Sequence, residues 1–165
     1  MKRQVATWLV GMSVLAMALT GCGEAVADGV PEIIEGRSLC DECGMIIDDV
    51  RTAAARRLPD GTSKVFDDIG GMLVDGYRDD DLSAVGRWVF DYGTGDAVPV
   101  GSASFVASGD LLTPMGWGVV AYAAEQDALD LAASLNGHVL SWDGLVNAHS
   151  GGNLRTHGHD MEIDH

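Results

Sequence analysis

Two cysteines and a methionine lie within a stretch of six residues and offer three sulfur atoms to a soft metal ion. Cys40 and Cys43 are separated by two residues, and Met45 follows after Gly44. In an extended segment, residues i and i+2 point to the same side, so the Cys43 thiolate and the Met45 thioether can face one ion. Zinc gains little from a thioether, whereas Cu(I) binds it well. The pair is also compatible with a redox centre or a structural disulfide.

A further methionine, Met115, lies in a segment rich in Pro and Gly, at residues 112–118. Rigid loops of this kind often carry function, and core packing explains Met115 less well than it explains Met72, which lies on a predicted helix face. For Met45, core packing remains the alternative because two isoleucines follow it.

The five histidines give a weaker signal. His157, His159 and His165 lie in a polar terminal segment, where histidines are more often solvated than bound to a metal. We interpret His138 and His149 as structural.

Sequence support for catalysis is weak. The chain contains no Gly-x-Ser-x-Gly elbow and no phosphate-binding loop. Asp67 and Asp68 are adjacent, so on a helix their side chains would point about 100° apart, which suits shared acid–base work badly. Helix capping explains them more simply. We therefore predict a protein that is not an enzyme.

The first residues read as an export signal. Lys2 and Arg3 precede a short apolar run at residues 10–19, which ends in Leu-Thr-Gly-Cys22. This order is typical of a secretory signal, and its end resembles a lipobox, at which cleavage leaves a lipidated Cys22. An uncleaved membrane anchor is the alternative, although the run is short for a bilayer of about 30 Å. Either reading places the domain outside the cytoplasm, anchored to a membrane, on the periplasmic side of a cell envelope or on the outer face of a single-membrane cell.

Composition excludes one class of partner. The chain has 165 residues and a net charge of −15, which becomes −17 once residues 1–21, with two basic residues and no acidic one, are removed. A nucleic-acid binder needs clustered Lys and Arg, so we predict no nucleic-acid partner. Apolar residues make up 47%, enough for a core.

Hydrophobic patterning predicts an α+β fold made of two similar ββαβ modules. Each half reads strand, strand, helix, strand, and the turn at Pro59-Asp-Gly joins the first two strands. The predicted helices cover roughly residues 69–77 and 124–135, and a short strand is expected at residues 44–49. The expected units are a signal peptide (1–21), a lipidated tether (22–38), a first module (39–95), a second module (96–148) and a polar His-bearing tail (149–165).

Taken together, the motifs resemble those of the NosL-type nitrous oxide reductase accessory lipoproteins. The resemblance spans roughly residues 40–142 and includes the order of the motifs. They are the lipobox ending in Cys22, Cys40-Asp-Glu-Cys43-Gly-Met45, Val65-Phe-Asp-Asp-Ile-Gly70, Asp91-Tyr-Gly-Thr-Gly95 and Thr113-Pro-Met-Gly-Trp-Gly118.

The resemblance implies a membrane-anchored chaperone that binds Cu(I) outside the cytoplasm. It would deliver copper toward the copper–sulfide centre of nitrous oxide reductase, together with a membrane transporter complex. It also implies the two-module topology, shared with part of organomercurial lyase. By this match Cys43, Met45 and Met115 are the candidate ligands, with Cys40 beside them.

Two other functions stay open at this level. An enzyme would use Cys40 and Cys43 for thiol–disulfide exchange, or, with a nearby acid, for mercury–carbon cleavage. Neither reaction needs Met45 or Met115. A structural lipoprotein with an inert disulfide is the third possibility.

Overall fold

The computed structural model describes residues 29–78, 84–152 and 154. The signal peptide, Cys22 and the tail histidines His157, His159 and His165 lie outside these residues. Within the described part, the main elements are seven strands and three α-helices: β1 (Ala54–Arg57), β2 (Ser63–Phe66), α1 (Ile69–Arg78), β3 (Gly86–Phe90), β4 (Ala97–Pro99), β5 (Ser104–Ala107), β6 (Val119–Tyr122), α2 (Glu125–Ser134), β7 (His138–Leu140) and α3 (Trp142–Ser150).

The first sheet is antiparallel, in the order β2-β1-β3-β4. Strand β1 is Ala-rich, a composition poor in strand formers, but as a central strand it is buried at all four positions. Its Arg56 forms an ion pair with Asp75 of α1, and Lys64 of β2 pairs with the same carboxylate at 2.8 Å. Helix α1 is thereby held against the sheet by charge as well as by its apolar face.

The second sheet is also antiparallel, in the order β6-β5-β7, and α2 packs against it. The predicted α+β fold with two ββαβ modules is confirmed, because β1-β2-α1-β3 and β5-β6-α2-β7 repeat the same order. Strand β4 lies within the range expected for the second module, and it pairs with β3 as the fourth strand of the first sheet.

Two local expectations differ from the structure. The final strand is predicted over residues 138–142, but in the structure it ends at Leu140. The chain continues as helix α3, whose N-cap Ser141 accepts a hydrogen bond from Gly144 N at 3.2 Å. At residues 44–49 the described chain forms no strand, only an isolated bridge between Leu39 and Ile46. Gly44 has a φ of +73°, a left-handed conformation that interrupts an extended run.

The two modules share one core. Phe66 and Ile69 of the first module belong to the same buried cluster as Phe105 and Val119 of the second and Leu145 of α3. Among the described residues, no helix is long and apolar enough to cross a membrane.

Candidate metal centre

The Cys-x-x-Cys segment forms a hydrogen-bonded turn beside β2 of the first sheet. Cys40 N donates to Met45 O at 2.8 Å, and Gly44 N donates to Cys40 O at 2.8 Å. Asp41 fastens the turn to β2, since its N–H donates to Val65 O and its carboxylate accepts from Val65 N at 2.6 Å. These bonds hold both cysteines beside the end of β2.

The residue that follows β2 completes a cluster of three possible ligands. Cys43 Sγ donates to Asp67 Oδ2 at 3.4 Å, and the ligand atoms of Cys40, Cys43 and Asp67 all lie within 4.8 Å of one another. Both cysteines are free thiols; Cys40 is buried and Cys43 is exposed. Asp67 is 2% exposed, and its Oδ1 has no hydrogen-bond partner among the described residues. Two thiols and a carboxylate with spare acceptor capacity therefore face one point that solvent reaches through Cys43.

Burial decides the protonation of the inner thiol. It raises the pKa of Cys40 from the ordinary 9.0 to about 12, although backbone hydrogen bonds at Asp67 and Cys43 act in the opposite direction. Without a metal, Cys40 is therefore neutral at physiological pH. A cation bound in the cluster can take the place of the thiol protons.

Met45 lies at the edge of the same site. It is 47% exposed, so core packing does not account for it, whereas Ile47 is fully buried. Met45 and Asp67 line one surface depression together with Pro114 from the loop that carries Met115.

Asp68 positions that loop. Its Oδ2 accepts hydrogen bonds from Thr113 Oγ1 at 2.6 Å and from the backbone N–H groups of Met115 and Trp117 at 3.1 and 3.4 Å. Its Oδ1 accepts from Gly70 N at 3.0 Å, at the start of α1. Burial raises the pKa of Asp68, and the hydrogen bonds from these donors oppose that shift. One carboxylate thus caps the helix and fixes the loop.

One glycine, Gly70, lets the loop approach the helix closely. A Cβ at Gly70 would lie 1.9 Å from Cγ of Trp117, so the indole ring occupies the space that a side chain would need. At Gly71, a Cβ would meet Met115 Sδ at 3.4 Å and Glu42 Cβ at 3.7 Å. The Met115 sulfur therefore lies over the first turn of α1, near the Cys-x-x-Cys turn.

The structure thus brings Cys40 and Cys43 together, sets Met45 beside them, and places Met115 on the neighbouring loop. Sequence reasoning missed Asp67 as a member of the site, because capping was expected to explain both aspartates. Of the two aspartates, only Asp68 caps helix α1. The available signal was that two adjacent carboxylates follow a strand where one is enough to cap a helix.

The described histidines lie apart from this cluster. His149 of α3 packs on Trp117 with ring centroids 5.3 Å apart, and burial lowers its pKa. His138 is exposed at the start of β7 and lines a different depression.

Comparison with known proteins gives a family and a fold. The sequence profile of the NosL family matches residues 31–149, more than half of the chain. The crystal structure of the copper chaperone NosL from Shewanella denitrificans is similar with a TM-score of 0.62 at 15% identity, covering 70% of this chain and 93% of that one. At this identity the similarity shows the fold alone. No curated protein sequence matches the chain.

Proposed function

The chain belongs to the NosL family, and from this premise we propose that it is a copper chaperone of the cell envelope. It carries Cu(I) as cargo and delivers it for the copper–sulfide centre of nitrous oxide reductase. The observation that carries the proposal is the cluster in which Cys40, Cys43 and Asp67 lie within 4.8 Å of one another, beside Met45.

The donor set suits a soft, monovalent ion that must be passed on. Cys43 supplies a thiolate, and Met45 and Met115 supply neutral thioethers, which favour Cu(I) over zinc. Cys43 and Met45 are exposed, so the ligands of an acceptor protein can replace them one at a time. The buried Cys40 would leave the ion last.

Asp67 has a supporting role in this proposal. A carboxylate is a hard ligand and a poor match for Cu(I). In the metal-free cluster, Asp67 accepts the hydrogen bond that orients the Cys43 thiol. Once Cys43 has lost its proton and binds the ion as a thiolate, that hydrogen bond is gone, and the carboxylate contributes only through its attraction for a cation.

The proposed partners follow from the family resemblance. They are nitrous oxide reductase and the membrane transporter complex that serves its maturation. The lipid on Cys22 would hold the chaperone at the membrane surface where these partners act.

One observation favours an enzymatic function as the second candidate. A mercury–carbon lyase needs two thiols and a nearby acid, and Asp67 lies 3.4 Å from Cys43 Sγ. Thiol–disulfide exchange needs only the two thiols. Neither reaction requires Met45 or Met115.

The decisive experiment is an anaerobic Cu(I) titration of the reduced mature chain against a chromogenic chelator. We expect one tightly bound Cu(I), affinity at least about tenfold weaker in Cys43→Ala and in Met115→Ala, and no binding after oxidation to a Cys40–Cys43 disulfide. Bound Cu(I) should in turn protect both thiols from alkylation and mild oxidants. Unchanged affinity in Cys43→Ala would refute the proposal. Turnover of a disulfide or an organomercurial that is independent of both methionines would move the assignment to the enzyme.

A further inference from the structure

Large apolar side chains are exposed on both segments that carry the candidate copper ligands. On the Cys-x-x-Cys turn, Leu39 and Ile46 are 59% and 50% exposed. They are partners in an antiparallel bridge, so their side chains lie on the same face of the chain. On the loop that carries Met115, Leu112 is 85% exposed.

The core does not need these three side chains. Ile47, directly after Ile46, is fully buried, and Leu111, directly before Leu112, is buried as well. In each segment the neighbouring residue therefore supplies the contact with the core. Apolar residues that are exposed together beside a functional site mark a surface that a partner covers.

The depression that Met45 lines connects the two segments. Ile46 and Asp48 line it from the side of the turn, and Pro114, two residues after Leu112, lines it from the loop. A protein that takes an ion from Met45 must therefore touch the surface that Leu39, Ile46 and Leu112 form.

The charge at this surface is negative. Residues 37–51 hold four acidic and two basic residues, and residues 108–118 hold one acidic residue and no lysine or arginine. One of the two bases, Arg51, is paired with Asp49 at 2.6 Å, whereas Asp48 and Asp110 are exposed. A second copy of the chain would bring the same charges and a net −17, so it is repelled. A partner with positive charge at the matching positions is attracted.

We propose that Leu39, Ile46 and Leu112 dock the copper acceptor, a protein that presents a methionine-bearing apolar centre ringed by lysine and arginine. This inference rests on the proposed function, which requires an acceptor to approach Cys43 and Met45. Apolar contact around the site excludes water during transfer. The opposite charges outside it speed and orient the encounter, and a soft ligand on the acceptor matches the ion.

The test uses two synthetic peptides with the same apolar, methionine-containing centre, one flanked by lysines and the other by glutamates. Each is titrated into the metal-free, reduced, isotope-labelled mature chain at low salt. We expect the lysine peptide to shift the backbone amide resonances of Leu39, Ile46 and Leu112 and to bind at least about tenfold more tightly than the glutamate peptide. The difference should disappear at about 1 M salt, where the screening length is about 3 Å.

Matched variants separate this surface from a general effect of charge or apolarity. Leu112→Ser and Asp48→Asn should each weaken binding of the lysine peptide at least about threefold. Leu129→Ser and Asp130→Asn, both exposed on α2, should bind it as the parent chain does. All four variants should keep the parent's Cu(I) affinity, because none of the four residues is a candidate ligand.

Three results would overturn the proposal: equal affinity for the two peptides, shifted resonances that lie away from the three apolar residues, or unchanged binding in Leu112→Ser. Shifts of the same resonances that depend on protein concentration without peptide would also overturn it, because a second copy would then be the occupant. A parent chain that binds the lysine peptide here but no Cu(I) in the titration above would support the docking surface and refute the proposed function.

Discussion

Cys43 is the exposed member of the three-residue cluster. Its two neighbours in the cluster, Cys40 and Asp67, are each 2% exposed, so they form a fixed wall behind one accessible sulfur. An exposed thiol can exchange a metal ion with a partner, and a buried one cannot be reached directly. One exposed and one buried thiol suit a site that passes a metal ion to a partner better than a site that stores it.

Replacing each methionine by leucine tests copper binding separately from packing. Met45→Leu and Met115→Leu nearly conserve volume, so we expect each to change the free energy of unfolding by less than about 1.5 kcal/mol. Each should weaken Cu(I) binding at least tenfold, since leucine offers no donor. Competition titration and urea unfolding measure the two effects.

Met72 provides the matched control for this pair. It is 2% exposed on α1 and packs in the core, so Met72→Leu should leave Cu(I) affinity unchanged. A Met45→Leu, Met115→Leu double variant that binds like the parent chain would show that neither thioether is a ligand.

The raised pKa of Cys40 predicts how copper binding depends on pH. Burial holds the thiol protonated up to about pH 12, so binding the ion as a thiolate complex must release that proton. Between pH 6 and 8, log K for Cu(I) should therefore gain about one unit per pH unit from Cys40. In Cys40→Ser the slope should fall by that one unit, and an unchanged slope would remove Cys40 from the ligand set.

The stability of the metal-free protein depends on pH in the opposite direction: it falls as the pH rises. The pKa of Cys40 is higher in the folded state than the ordinary 9.0, so the folded state holds this proton more tightly than the unfolded chain does. The stability that this residue contributes is complete below about pH 9 and is lost as the pH rises toward 12.

At the scale of elements, Asp68 joins helix α1 to the loop that carries Met115. In Asp68→Asn, one carboxylate oxygen becomes an NH2 group that cannot accept, so the side chain loses either the hydrogen bonds from Thr113, Met115 and Trp117 or the one from Gly70. Losing a hydrogen bond to a charged group costs about 1.5–3 kcal/mol, so we expect a destabilisation of that order, measured by urea unfolding.

A double-mutant cycle shows whether Asp68 acts on copper through Met115. Asp68→Asn should weaken Cu(I) binding, and adding it to Met115→Leu should cause no further loss. Additive losses would mean that Asp68 affects the site by another route. Thr113→Val, which removes one of its partners, should reproduce part of the effect.

At the scale of the molecule, Asp91 ties the two modules together. Its carboxylate accepts from Gly93 N and Thr94 N at 2.9 Å, and from Ala123 N, just after β6, at 2.8 Å. Tyr92 N also donates to Ala121 O at 2.8 Å. The end of β3 in the first sheet is thereby fixed to the end of β6 in the second sheet.

This contact predicts that acid weakens the attachment between the two modules. Burial raises the pKa of Asp91, but the hydrogen bonds from Ala123, Thr94 and Gly93 outweigh it and hold the pKa below the usual range. Its stabilisation is therefore present above the unfolded pKa of about 3.9 and is lost as the pH falls through the folded value. Asp91→Asn should unfold more easily at pH 7, and the difference in stability from the parent chain should shrink as the pH falls below about 3.9.

Urea unfolding of Asp91→Asn and the parent chain at several pH values tests this prediction. A difference between the two chains that is the same at every pH would contradict the prediction. Asp110→Asn is the control, because Asp110 is exposed in a turn.

The proposed lipid anchor also concerns the whole molecule. We expect mass spectrometry of membrane-extracted protein to show a chain that begins at an acylated Cys22. Cys22→Ser should release the protein from the membrane with an unchanged unfolding curve. The sequence predicts that residues 22–38 form a tether outside the core, but Ile33 packs against the core cluster, so only the part of this range that precedes it in the sequence, where Cys22 lies, can serve as a tether. An intact Met1 or an unmodified Cys22 would contradict this expectation.

Some properties of this protein depend only on residues that are close together in the chain. They include the spacing of Cys40, Cys43 and Met45, the alternation of strand and helix patterns, and the order of charged and apolar residues at positions 2–22. Because these patterns are local, the sequence by itself predicts the two-module α+β fold, which is confirmed. The third helix was missed, although its N-cap Ser141 and the buried Leu145 are local signals of the same kind.

Tertiary structure decided which groups share the site. Asp67 and Asp68 have the same side chain and the same local capping potential, so sequence could not separate them. Packing directs Asp67 to Cys43, 24 residues away, and Asp68 to Thr113, 45 residues away. Likewise, β4 belongs to the first sheet because β3 offers it an unpaired edge. Such contacts depend on how distant elements pack, and local sequence preferences do not encode that arrangement.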